Sequence, residues 1–185
     1  MKDYRVIAIV GESGTGKDTV LKHLSSLPLE FNTIINHTTR PIREGEVDGI
    51  DYYYTTEEEF ENLDLLEMSH FNGWYYGTSM AAMSKDKVNV GVFDPTGIRN
   101  LANRMDIDLK IIRLRTPGDV RLLRQLTRTE NPDVKEIVRR YQTDTDDFKA
   151  FDDEYRAWYH MYNNVSKFDL EVIRVEIGRQ IRSME

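Results

Sequence analysis

Residues 11 to 19 read Gly-Glu-Ser-Gly-Thr-Gly-Lys-Asp-Thr, set between the apolar run Val6-Ile7-Ala8-Ile9-Val10 and the helix-patterned stretch Thr19-Val20-Leu21-Lys22-His23-Leu24. A strand, a glycine-rich turn and a helix in immediate succession constrain the chain to an α/β fold built on a parallel sheet. Gly11, Gly14 and Gly16 open backbone angles closed to residues with side chains, so the amides from Ser13 through Thr15 onward turn inward and cradle anionic oxygens. Lys17 adds a point charge, and the new helix adds its positive end. This is a phosphate-binding loop. The usual pattern closes on Gly-Lys followed by Ser or Thr, whereas here Asp18 takes that place and the hydroxyl, Thr19, comes one residue later.

The apolar runs that follow are ordered as a parallel sheet with crossover helices. Strands are predicted over Arg5 to Val10, Phe31 to Ile35, Val88 to Phe93, Leu109 to Leu114 and Trp158 to Tyr162. Helices are predicted over about Asp18 to Ser26, through Ile98, Leu101, Ala102 and Met105, and along Leu170, Ile173, Ile177 and Ile181. Residues 36 to 87 differ in character, being rich in Tyr, Thr, Gly and charge with short alternating pieces such as Asp51-Tyr52-Tyr53-Tyr54-Thr55. They read as a small, mainly β subdomain inserted into a core made of residues 1 to 35 and 88 to 185. A second interruption, about residues 122 to 143, carries arginines around Asn131-Pro132 and reads as a helical lid with a mobile polar tip.

Composition narrows the function classes. With 32 acidic against 25 basic residues the formal charge is −7, which disfavours nucleic acid and anionic membranes as partners. The chain has no cysteine, so disulfides, thiolate nucleophiles and zinc-thiolate sites are excluded. Its four histidines show no metal-ligand spacing. No apolar run approaches the roughly 20 residues that span a bilayer, and Met1-Lys2-Asp3-Tyr4 leads straight into a strand without room for a signal peptide. The expected compartment is the cytoplasm, and the expected state a monomer or homodimer.

The second informative stretch runs from His37 through Thr38-Thr39-Arg40-Pro41-Ile42-Arg43 to Gly45-Glu46-Val47-Asp48-Gly49-Ile50-Asp51-Tyr52. Arg40 and Arg43 stand three apart beyond a strand end, where two guanidinium forks can grip one phosphate, and Tyr52 can add its phenol. With the phosphate loop, these residues and the block Gly73-Trp74-Tyr75-Tyr76-Gly77-Thr78 resemble the guanylate kinase family, in order and with similar separations. The arginine-bearing stretch from Arg124 to Arg140 is a looser fourth match.

The resemblance implies an ATP-dependent nucleoside monophosphate kinase acting on GMP or dGMP. Arg40, Arg43, Tyr52 and Tyr76 would hold the acceptor's phosphate, and Glu67, nine residues before Tyr76, would accept the adjacent N–H donors of guanine. Thr78 would bond the base or the phosphate. Two departures bear on selectivity. Asn36 stands where the family has a base-contacting serine, four residues before Arg40, and Val92-Phe93-Asp94 replaces an Asp-x-Asp pattern, leaving Asp94 alone to orient the acceptor or a magnesium-bound water. Asn163, after the last strand, matches the family's stretch near the donor's adenine.

Catalysis is then by positioning and charge. Lys17 and the loop amides would hold ATP, Asp18 or Thr19 would help place Mg²⁺, and Arg124, Arg128 and Arg140 would close over the phosphates as the lid shuts. Arg121 and Arg139 read instead as solvated residues paired with acids such as Glu130 and Glu136. Two other readings remain open: a kinase of the same fold for another deoxynucleoside monophosphate or a ribose bisphosphate, and a non-catalytic binding module. Retention of Lys17 and of the three loop glycines weighs against the module.

Overall fold

The computed structural model describes residues 2–24, 26–42, 45–71 and 73–185. Its five-stranded sheet has the strand order β2-β7-β1-β8-β9, where β1 is Tyr4–Val10, β2 Asn32–Thr33, β7 Asn89–Phe93, β8 Ile107–Arg115 and β9 Tyr159–Asn163. Val6 through Val10 are wholly buried, as an unbroken apolar strand must be when both its faces are covered. The chain forms two compact units: Met1–Val6 with Glu30–Leu109, and Ile7–Leu29 with Lys110–Glu185. The division passes through β1 and β8.

In the first unit β2 and β7 pair in parallel, Asn32 beside Asn89 and Thr33 beside Val90. A separate four-stranded sheet has the order β4-β3-β6-β5, made of β3 His37–Thr38, β4 Tyr53–Tyr54, β5 Leu65–Phe71 and β6 Trp74–Ser79. This is the mainly β piece anticipated between residues 36 and 87. Between β4 and β5 the short helix α2, Glu57–Glu61, starts at a capping box in which Thr56 and Glu59 satisfy each other's backbone amides. It delivers Phe60 to the sheet, and Phe60 stacks on Tyr75 with ring centroids 5.7 Å apart. Helix α3, Pro95–Ala102, begins at Asp94, whose carboxylate accepts the Gly97 amide.

Among the described residues, the second unit carries the phosphate loop and four helices. Helix α1, Lys17–Leu24, packs beside α6, Lys167–Met184, which turns Ile173, Ile177 and Ile181 inward at four-residue steps. Helix α4, Gly118–Leu126, packs on α5, Val134–Tyr155, and β8 pairs in parallel with β9 from Ile111 beside Tyr159 to Arg115 beside Asn163.

Several boundaries depart from the sequence reading. The strand expected over Phe31 to Ile35 shortens to two residues at the sheet edge, although Ile34 still donates its amide to Val90. Met105 lies past the end of α3 and is almost fully exposed. The last strand begins at Tyr159, because the Trp158 amide closes the end of α5 on Tyr155. The lid region resolves into α4, the turn 127–133 and the first part of α5, and α5 continues well beyond the expected limit.

Gly77 fixes how closely β5 and β6 approach. A Cβ there would lie 2.8 Å from the Glu67 carbonyl oxygen and 3.0 Å from the Phe60 ring. Gly77→Ala is therefore expected to destabilise the protein by about 1–3 kcal/mol through overpacking, measured by urea unfolding. Unchanged stability would show that the two strands have slack.

Candidate active site

Positive φ at Gly14 and Gly16, both 84°, lets the loop reverse direction. Gly16 is doubly obligatory, since a Cβ there would stand 2.8 Å from the Asn164 side chain. The Glu12 carbonyl organises the turn by accepting from the Thr15 amide, the Thr15 hydroxyl and Lys17 Nζ at 3.2, 2.7 and 3.2 Å. Lys17 also donates to the Gly11 carbonyl at 2.6 Å. Desolvation pulls its pKa below the ordinary lysine value, against the carboxylates of Asp18, Asp144 and Glu12, which favour its charge. Asp18 and Thr19 lie exposed in the first turn of α1. The Ser13 amide donates to Asp144 Oδ2 at 2.6 Å.

Behind the loop, Arg113 is 1% exposed and donates to Glu12 Oε2 at 2.6 Å and to Asp152 Oδ1 at 3.0 Å, its guanidinium 4.3 Å above the Phe148 ring. Burial works against the Glu12 charge, but the Arg113 bond and charge outweigh it and keep the carboxyl below its usual range. Asn164 Nδ2 donates to the Thr15 carbonyl at 2.7 Å, tying the chain after β9 to the loop. Asn163 does not take that place. It lines a cavity of about 500 Å³ with Glu12, Arg121, Tyr141 and Lys149. Successive residues along an extended chain face opposite ways, so the two neighbouring asparagines meet different surroundings.

Of the lid arginines, Arg124 reaches the loop directly, donating to the carbonyls of Gly14, Asn164 and Val165. Arg140 is held by Glu136 at 2.6 Å, as is Arg139 at 2.9 Å, and Arg128 stands exposed past the end of α4. The expected solvated role of Arg121 is overturned. It is 5% exposed, lies 4.7 Å from the Tyr141 ring centroid, and its Nε and Nη1 have no hydrogen-bond partner.

The first unit gathers the residues expected to meet the acceptor. Arg40, 6% exposed, binds Glu46 through both carboxylate oxygens at 3.0 Å and lies over the rings of Tyr52 and Tyr54 at 5.6 and 5.7 Å. Burial opposes its charge, yet Glu46 keeps its pKa above the ordinary arginine value. The Tyr54 hydroxyl donates to the same glutamate at 2.8 Å, and burial with that bond pushes its pKa to about 12. Tyr52 and Tyr76 meet edge to face at 6.1 Å. Arg43 lies outside the described residues. Sequence reasoning missed Glu46, which lies within the quoted stretch from His37 to Tyr52, and Tyr54, two residues beyond it.

Glu67, Thr78, Asn36 and Asp94 form the second cluster of this unit. The Asn36 amide donates to the Val92 carbonyl at 3.3 Å, which points Oδ1 at the Thr78 hydroxyl 2.8 Å away. That hydroxyl also lies 2.8 Å from Glu67 Oε1, and its single proton serves one partner at a time. Protonated Glu67 satisfies all three groups; ionised Glu67 competes with Asn36. At 8% exposure, burial pushes the Glu67 pKa to about 7, the Thr78 bond opposing and the Asp94 charge assisting. Asp94 thus has two parts, capping α3 and raising its neighbour.

Between pH 4.5 and about 7 the folded protein holds a proton on Glu67 that the unfolded chain has released, so this group's contribution to stability falls as pH rises through that window. Glu67→Gln removes the ionisable group but retains a partner for Thr78. Its stability relative to wild type should rise by about 1–3 kcal/mol between pH 5 and pH 8, read by denaturant unfolding at each pH. A difference independent of pH would mean that Glu67 titrates normally.

Three comparisons bear on this geometry. The family model described as guanylate kinase matches residues 3–161. The guanylate kinase of Thermobifida fusca is 36% identical over 150 residues, covering 75% of this chain and 74% of that one. That of Streptococcus agalactiae is 42% identical over 85 residues, covering 43% of this chain and 41% of its own length. The crystal structure of the Anaplasma phagocytophilum guanylate kinase superposes with a TM-score of 0.69 at 22% identity, covering 99% of this chain and 87% of the other, a likeness of fold. With a family match over most of its length and one relative similar across three quarters of both sequences, this chain belongs to the guanylate kinase family.

Proposed function

We propose that the protein transfers the γ-phosphoryl group of ATP to GMP or dGMP, yielding the nucleoside diphosphate and ADP. The observation that carries this reading is Glu67, a buried carboxyl poised near neutrality beside Thr78 and Asn36, in the same unit as Arg40, Tyr52 and Tyr76. Ionised, it offers two acceptors to the adjacent N1–H and amino donors of guanine, an edge that adenine and the pyrimidines lack. Arg40, with the tyrosines, takes the acceptor's phosphate by exchanging Glu46 for phosphate oxygens.

The phosphate loop holds the donor through converging amides, Lys17 and the first turn of α1. An acceptor phosphate oxygen forms a bond to the γ-phosphorus while the bond to the β–γ bridging oxygen breaks, and ADP leaves with that electron pair. The acceptor phosphate is largely dianionic near neutrality, so no general base is required. Arg124, Arg128 and Arg140 neutralise the charge that spreads over the equatorial oxygens. Asp18 and Thr19 are exposed oxygen ligands suited to a hard cation, and no group of three or more His, Cys, Asp or Glu side chains able to hold a metal occurs among the described residues. Mg²⁺ arriving with ATP would supply charge neutralisation on the β- and γ-oxygens. No helix among the described residues is long and apolar enough to cross a membrane, and we assign the activity to the cytoplasm.

A coupled assay across the common ribo- and deoxynucleoside monophosphates and a ribose bisphosphate tests the proposal. GMP or dGMP should be the preferred acceptor. Lys17→Ala should lower kcat by roughly 100-fold or more, and Arg40→Ala should raise the acceptor KM by about 10–100-fold. The GMP KM should fall as pH rises through about 7 and lose that dependence in Glu67→Gln. Turnover with none of the nucleotides, or preference for a pyrimidine or the sugar bisphosphate, would reject the assignment.

A further inference from the structure

The Ser13 amide, at the mouth of the phosphate loop, donates to a carboxylate rather than to the loop's own backbone. The acceptor, Asp144, comes from the middle of α5, and its charge also bears on Lys17. Its 2.6 Å distance is that of a charge-assisted bond, the chemistry the loop's amides offer to a phosphate oxygen. One N–H cannot donate fully to both anions. A donor polyphosphate, with up to four negative charges, is also repelled by a carboxylate at this position.

Asp144 lies four residues after Arg140, so the two share one face of α5 one turn apart. Arg140 in turn is held by Glu136, one turn earlier. Along that face, the helix carries an anion engaged with the loop and a cation engaged with its own carboxylate.

We propose that Asp144 is a positioning residue of the donor site, an internal counter-anion that occupies the Ser13 amide before the nucleotide binds and is exchanged for an oxygen of the donor's polyphosphate. The inference rests on the reading of residues 11–19 as the donor site. Its consequence is selective. The loop resists free anions that cannot compensate for loss of the Asp144 contact, and α5 is released only when a donor takes its place.

The test titrates inorganic tripolyphosphate into the whole protein by calorimetry, comparing wild type with Asp144→Ala, Asp144→Asn and Asp146→Ala, the last removing a nearby exposed charge from the same helix. Asp144→Ala should bind about tenfold more tightly, the factor that one charge-assisted hydrogen bond of middling strength supports. Asp144→Asn, which keeps an acceptor oxygen without the charge, should fall between it and wild type, and Asp146→Ala should stay within about twofold, as for a screened surface charge. The ATP KM should fall in step with the tripolyphosphate Kd, while the GMP KM stays unchanged. Should Asp144→Ala fail to fold, Asp144→Asn alone decides by the same comparison. Unchanged or weaker tripolyphosphate binding in the Asp144 variants, or an equal gain in Asp146→Ala, overturns the proposal while leaving the donor-site reading intact. Absence of tripolyphosphate binding in wild type overturns both.

Discussion

Arg113 is the constraint around which the donor half is organised. Its guanidinium is shut away from water, spans the carboxylates of Glu12 and Asp152, and donates to the Leu114 carbonyl at 2.7 Å. Burying such a charge is unfavourable, and breaking the set by removing one partner would leave an uncompensated ion at a cost of about 3–5 kcal/mol. What the arrangement gains is placement. With its side chain clamped, Glu12 presents its carbonyl where the Thr15 amide, the Thr15 hydroxyl and Lys17 all converge on it. The loop's shape therefore depends on contacts to β8 and α5 as much as on its glycines.

A common principle runs through both units. Lys17 rests on loop carbonyls, Arg124 on Gly14 and the chain after β9, Arg140 on Glu136 and Arg40 on Glu46. Each cation expected to meet a phosphate, where its contacts are described, already has an acceptor within the protein. Ligand capture is then an exchange of partners, in which the net gain is the difference between two interactions and no buried charge is left stranded. The arrangement also restrains Arg40 beforehand, since Nη2 donates to both oxygens of Glu46 and Nη1 to the Pro41 carbonyl.

The phosphate loop, the parallel sheet and the inserted β piece were legible because each rests on a local pattern: glycine spacing, apolar runs and alternation. Arg40, Tyr52, Glu67, Tyr76 and Thr78 were legible through the family resemblance and fall together in one unit. Long-range pairing was not legible. Nothing local marks Arg113 as a buried bridge between Glu12 and Asp152, or Asp144 as the partner of an amide 131 positions away. Arg121 looked like a surface residue because its neighbours are polar, whereas packing against Tyr141 is what buries it. Nor does anything local mark Asn164 as the side chain that donates to the Thr15 carbonyl.

The hydrogen bond from Asn164 to Thr15 joins positions 149 apart in sequence, and α1 finds its packing partner in α6. The phosphate loop lies near the start of the sequence but takes its anchors from Arg113 onward, more than 90 positions away. Such non-local closure slows folding and delays it until late in synthesis. A chain cut short of β9 would carry residues 11–19 without the Asn164 contact that anchors the Thr15 carbonyl, so the motif's presence in sequence does not by itself give the loop its shape.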